Sequence, residues 1–369
     1  MLSLSRNGYT ADDVKKALHA ANRQLAFKYE LLDNTNKHKA WLTNVMPGSK
    51  VAYNVFNEIK RTATFQIRDD GSINFLSDRI KPWVLLRMSG GWAEFPKGVF
   101  LLSTPKRSAG ATSSVFRNIE AYDQLQVLKD DKVEDRYTIV AGTNYITRVK
   151  TLLDNAGITL QNLTATDKTL PADRDWEPGT SKLQIINDLL GAINYRSLWF
   201  DDDGFAIAQP YVSPTVRASE YTYKTDKESV ILPGAEHELD LFKIPNKWVL
   251  YVSEADRSPL RSVYTNTNAN SPTSTVSRGR IIMADPKQVD AADQTTLDTL
   301  VQREAFEASQ VYEAVEFETG IMPFHSDSDV FTLEHTKLGI SAKFSEVSWE
   351  FEFRATAPMK HRIRRVITI

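Results

Sequence analysis

The sequence contains no cysteine. That absence removes disulfides, thiolate catalysis and cysteine-ligated zinc at once, and leaves packing and subunit contacts to supply stability. It fits assembly in a reducing cytoplasm. No run of roughly eighteen apolar residues occurs, so no membrane-spanning helix is expected. The opening residues, MLSLSRNGYTADDVKKAL, lack a long apolar stretch and turn acidic early, unlike a secretory signal. A surplus of positive charge is also missing: 45 Lys and Arg face 47 Asp and Glu, for a net charge of −2. A dedicated nucleic-acid binder usually carries a basic excess, so tight binding of DNA across the surface is disfavoured. The motifs G-x-S-x-G, H-E-x-x-H and G-x-x-x-x-G-K-[ST] do not occur, and no short repeat of fixed period is visible.

What is present is ordinary globular material. The chain has 369 residues, 41% apolar and 25% charged, enough for two or three domains with real cores. Residues 1–22 read as a helical arm. Thr10 can cap it, Asp12 and Asp13 sit where the helix dipole favours negative charge, and Ala11, Val14, Leu18 and Ala21 share a thin apolar face. Such a face suits docking on another subunit or domain. Residues 23–135 read as a first β domain. Short apolar or alternating runs (Leu25–Leu32, Ala40–Val45, Thr62–Arg68, Ile73–Phe75, Trp83–Met88, Gly98–Ser103, Val115–Tyr122) are separated by turn residues such as Pro47-Gly48.

From 136 to 215 the period changes. Helices are expected near Asn144–Ala156, ended by Gly157, and near Ser181–Ile193, capped by Thr180. Leu183, Ile186, Leu189, Leu190 and Ile193 recur at helical spacing. An aromatic strand Tyr195–Phe200, a turn at Asp202, Asp203 and Gly204, and a return over Phe205–Ala208 complete an α+β insertion. Residues 216–369 read as a second β domain with a helix near 295–309. Within it, 256–280 is rich in Ser, Thr, Asn and Pro, which predicts a flexible loop ordered only against a partner.

Several clusters carry residue types capable of chemistry. Asp201, Asp202 and Asp203 are contiguous, whereas a calcium loop needs alternating ligands and a twelfth-position Glu; here that position is Val212. A solvated hairpin turn is the expectation. His325, Asp327 and Asp329 could aim at one side of an extended segment and hold zinc or iron, yet the ligand set is incomplete and an exposed loop fits as well. His237 between Glu236 and Glu238 has the wording of an oriented base without a nucleophile. It reads as a surface turn. Trp83 and Trp92 could stack on a sugar but read as core or interface anchors. The basic stretch Lys360–Arg365 could meet phosphates or an acidic neighbour; Ile363, Ile367, Ile369 and Arg365 would share one side of an extended strand. No residue is assigned a catalytic, cofactor-binding or metal-binding role, and no enzyme activity is expected.

The wording of the chain resembles a known family. The runs WEPGTSKL (176–183), IINDLL (185–190) and LWFDDDG (198–204) resemble the tail hub proteins of long-tailed bacteriophages, also called minor tail or baseplate hub proteins. So do NIEAYDQLQVL (118–128), GTNYITRVKTLLDNAG (142–157) and the passage from Ala308 to Asp329, in that order. The resemblance implies a mainly β chain of two tail-tube-like barrels with the α+β insertion between them. It implies a homotrimeric ring in the virion, at the tail tip or baseplate, assembled in the host cytoplasm. The implied partners are copies of the chain, the tail tube or distal tail protein, the tape-measure protein and a central tip or fibre protein. DNA would only pass through the channel, and no stable membrane insertion or cofactor is implied. A rival is a tail-associated cell-wall hydrolase. The sequence ends where the hub-like pattern ends, which lowers that expectation. A carbohydrate-binding adhesin of the tail tip is the second rival.

Overall fold

In a computed structural model describing residues 1–103, 106–109, 115–239, 241–253, 258–309 and 313–366, the chain is mainly β, with 40% of residues in strands and 17% in helices. The dominant element is a single 15-stranded sheet that runs through both β regions. The junction is the strand Ile340–Glu352, which pairs on one side with Pro358–Arg365 and on the other with Val45–Asn54. From there the sheet continues through Arg61–Arg68, Val115–Asp123, Phe100–Leu102, Arg79–Met88 and Leu25–Leu32 to His38–Leu42 at one edge; Glu236–Leu239 forms the other. The described pairings join the two halves and close neither into a barrel.

One sequence expectation is corrected along this path. Pro47-Gly48 is not a turn between strands. It lies inside Val45–Asn54, where the register slips between Met46 and Lys50 and Gly48 takes φ of 96°. The extra residues form a bulge that re-aims the strand. The basic stretch Lys360–Arg365 belongs to an internal strand, with His361 and Ile363 buried and Lys360 and Arg362 exposed; Ile367 and Ile369 lie outside the described residues.

The helices follow local chemistry. Thr10 accepts from the Asp13 N–H, and Val14 and Leu18 of Ala11–His19 are buried against the sheet of their own chain. Asn144 caps Tyr145–Asn155, and Gly157 follows with φ of 75°. Ser181, one residue beyond the expected Thr180, caps Lys182–Ala192 by accepting from the Gln184 N–H. The Thr180 hydroxyl is used instead to donate to the Glu177 carbonyl. These two helices pack with Leu125, Leu128, Trp176 and Phe200 in a core separate from that of the large sheet.

Within the second β region, the described residues of 247–309 stand apart from the large sheet. Lys247–Val252, Leu260–Thr265 and Lys287–Gln288 make a small sheet of their own, covered by Gln294–Ser309 through Leu297, Val301 and Ala305. The polar stretch expected to need a partner is held from within. Buried Asn246 donates to the Thr273 and Arg280 carbonyls and accepts from the Ile282 N–H, while Asn266 donates to Ser271 Oγ. Asparagines satisfy backbone groups here that apolar side chains leave open. Asp256 and Arg257 lie outside the described residues.

Candidate functional site

Where the β regions, the insertion and the first residues of the chain meet, charged side chains are buried together. Their centre is the segment Phe324–Asp329, which leads into the strand Val330–His335. Burying a charge is costly unless it is paired and hydrogen-bonded, so each member must have its partners nearby.

The tip of the insertion hairpin supplies Asp202, which is 0% exposed. Its Oδ1 faces Lys97 Nζ at 3.3 Å and Arg61 at 3.4 Å, and its other oxygen accepts from Ser326 Oγ. Burial alone would raise this carboxyl, but Arg61 and Lys97 outweigh it and hold it below the usual carboxylate range. Lys97 also donates to the His325 carbonyl at 2.6 Å and lies 5.1 Å above the Trp349 ring, which Arg61 faces at 5.8 Å. Gly204 completes the dock: its carbonyl accepts from Gln124 Nε2, and its φ of 94° with Val99 close by leaves no room for a side chain.

The other residues of the segment divide their partners. Asp327 accepts from Tyr53 Oη at 2.5 Å and pairs with Arg196 of the insertion. Asp329 lies 2.6 Å from the Met1 amine and 2.9 Å from His325 Nδ1. Burial would raise the Asp329 carboxyl, yet the amine and His325 keep it well below its ordinary value. Around Glu346 sit two imidazoles: His325 Nδ1 and His361 Nδ1 are each 2.6 Å from one of its oxygens. Burial would lower His325, but Glu346 and Asp329 push it up to about 9; His361 is lowered, with burial the main cause. His325, Glu346 and His361 place one ligand atom each within 4.8 Å of one another, all buried. Among the described residues, this group could hold a metal ion.

The sequence candidates fare unevenly. The acidic turn is not simply solvated: Asp202 is interior, Asp203 pairs with Lys81 at 2.8 Å, and Asp201 accepts from the Asp203 and Phe205 N–H groups. His325, Asp327 and Asp329 are interior, not an exposed loop, and Asp327 turns to different partners from the other two. His237 lies on the edge strand Glu236–Leu239, with Nε2 3.3 Å from Glu313, so it is not in a turn. Trp83 donates to Glu30 and is flanked by Lys28 and Lys81, while Trp92 faces Arg87. Their register positions, Trp83 opposite Pro96 and Trp92 opposite Arg87, stand about 13 Å apart along the hairpin, too far for both rings to stack on one sugar ring. Tyr53, Arg61, Lys97, Arg196, Glu346 and His361 carry no motif spacing, and nothing local marks them as site residues.

The same architecture recurs in solved structures. A tail protein from Neisseria meningitidis MC58 superposes with a TM-score of 0.63 over 92% of this chain and 97% of its own, at 12% identity. The 43 kDa tail protein of prophage MuSo2 from Shewanella oneidensis gives 0.61 over 92% and 98%, at 9% identity. This chain has the tail-protein fold. Prophage tail protein gp18 from Listeria monocytogenes EGD-e matches the tail-protein fold as well, with a TM-score of 0.57 over 91% and 94% at 15% identity. No family model and no curated protein matches the sequence. No described helix is long and apolar enough to cross a membrane.

Proposed function

We propose that the chain is a structural hub of a bacteriophage tail tip or baseplate, resident in the virion, whose work is done by interfaces and not by a reaction. The carrying observation is the fold shared with three tail proteins over more than nine-tenths of this chain. In this reading copies of the chain form a ring, as a homotrimer, below the tail tube. The ring seats the end of the tape-measure protein, meets a tip or fibre protein and leaves a channel for DNA ejection. The two halves of the continuous sheet take the place of the two tail-tube-type barrels without closing, with 23–135 and 216–369 as the hub domains, 136–215 as the insertion and 1–22 as the arm. The near-zero net charge suits a wall along which DNA slides without sticking.

The buried ionic junction supports a mechanical role. Its charges meet fixed opposite charges in the interior, which specifies how the insertion sits on the sheet. Electron microscopy of the purified protein tests the reading. Rings with a central hole are expected, whereas isolated compact particles together with release of fragments from cell-wall material would overturn it in favour of a hydrolase.

A further inference from the structure

We propose that His325, His361, Glu346 and Asp329 form a structural site for a divalent transition metal of the zinc class. The donors converge. Two imidazole Nδ1 atoms converge on the two oxygens of one carboxylate, and a second carboxylate, Asp329 Oδ2, lies 2.9 Å from His325 Nδ1. Two nitrogens and the Glu346 carboxylate give three donors of borderline character within 4.8 Å of one another, with Asp329 beside His325 as the candidate for a fourth, a combination that suits zinc. With metal–ligand bonds of about 2.0–2.2 Å, tetrahedral donors stand roughly 3.3–3.6 Å apart. Opening the two 2.6 Å contacts by less than about 1 Å reaches that spacing.

The surroundings of the cluster supply an outer shell. A metal-bound histidine almost always donates its other ring N–H to an oxygen, which fixes tautomer and ring plane. Thr319 Oγ1 supplies that oxygen for His361, and Tyr223 Oη lies 2.6 Å from His325 Nε2. The Ser326 N–H orients Asp329 at 3.0 Å. The site also has approaches, since Glu346 lines one surface cavity and His361 another. The ion would cross-link the segment Phe324–Asp329 to the strands Ile340–Glu352 and Pro358–Arg365, beside the dock of the insertion. This inference stands or falls independently of the hub reading.

The test uses the full chain, refolded or dialysed with zinc chloride and separately with cobalt chloride, then freed of loose ion. About one zinc per chain by mass spectrometry, a visible cobalt spectrum of tetrahedral type, and a thermal midpoint that rises with free zinc are the expected results. His361→Gln should lose the cobalt spectrum and the zinc-dependent rise; Thr319→Val should weaken both about 10-fold or more, in the range seen for outer-shell changes. Wild-type protein that retains less than about a tenth of an ion per chain, with a midpoint indifferent to zinc and to chelator, overturns the proposal and leaves the cluster as a hydrogen-bonded ionic one. That readout does not depend on any variant folding.

Discussion

Replacing Asp202 by alanine removes the one carboxylate that Lys97 and Arg61 share. Lys97 and Arg61 have side chains only 1% and 3% exposed, so water cannot take over. At an effective dielectric of 20, each contact of 3.3–3.4 Å corresponds to about 5 kcal/mol of gross attraction. Desolvation of all three groups offsets most of this in the native protein. After the substitution the cost of the buried cations remains and the attraction is gone. Truncating one partner of a buried pair costs about 3–5 kcal/mol, and that is the loss of unfolding free energy expected for Asp202→Ala. Urea unfolding followed by tryptophan emission is a suitable assay, because Trp349 lies beneath both cations and reports on the junction itself. The combination Asp202→Leu with Lys97→Met should be less damaging than Asp202→Ala alone, since it removes one of the stranded charges. A loss below about 1 kcal/mol for Asp202→Ala would refute the idea that this ionic dock holds the insertion on the sheet.

Other outcomes follow from single sites. Gly204→Ala should destabilise by about 1–3 kcal/mol in the same assay, because φ is 94° and its Cβ would lie 2.9 Å from Val99 Cγ2. Leu189→Ala, fully buried in the insertion core, should cost about 2–5 kcal/mol by thermal or urea unfolding. Asp123 is pushed up to about 6 by burial. Its unfolded form ionises near pH 4 while the native form keeps its proton, so stability should fall as pH rises from about 4 to 6 and level off above. Asp123→Asn should flatten that limb of a stability–pH curve. Asp202 acts with the opposite sign, its contribution being lost as pH falls through the carboxylate range.

Legibility in the sequence followed the range of the interaction. Helix limits depend on one turn of chain, so the Thr10 cap, the helix ended by Gly157 and the helix from Gln294 to Ser309 could be read from spacing. The Thr180 cap was off by one because Thr180 and Ser181 offer the same hydroxyl, and only the carbonyl of Glu177 decides between them. The continuity of the sheet was hidden by Pro47-Gly48, whose composition is that of a turn while its place is a bulge. The junction was nearly invisible. Charged residues usually face water, so Asp202, Lys97 and Glu346 read as surface; the Lys97–Asp202 pair joins positions more than a hundred residues apart, and Glu346 meets histidines 21 and 15 residues away. His325 and Asp329 stood in view as part of an H-x-D-x-D run, but their companions Glu346 and His361 lie on other strands.

Sedimentation of the purified chain across a wide concentration range tests the central claim most directly. A closed assembly three times the 41.7 kDa of the chain, persisting on dilution, is what a hub ring requires. A single species of chain mass at every concentration would contradict it.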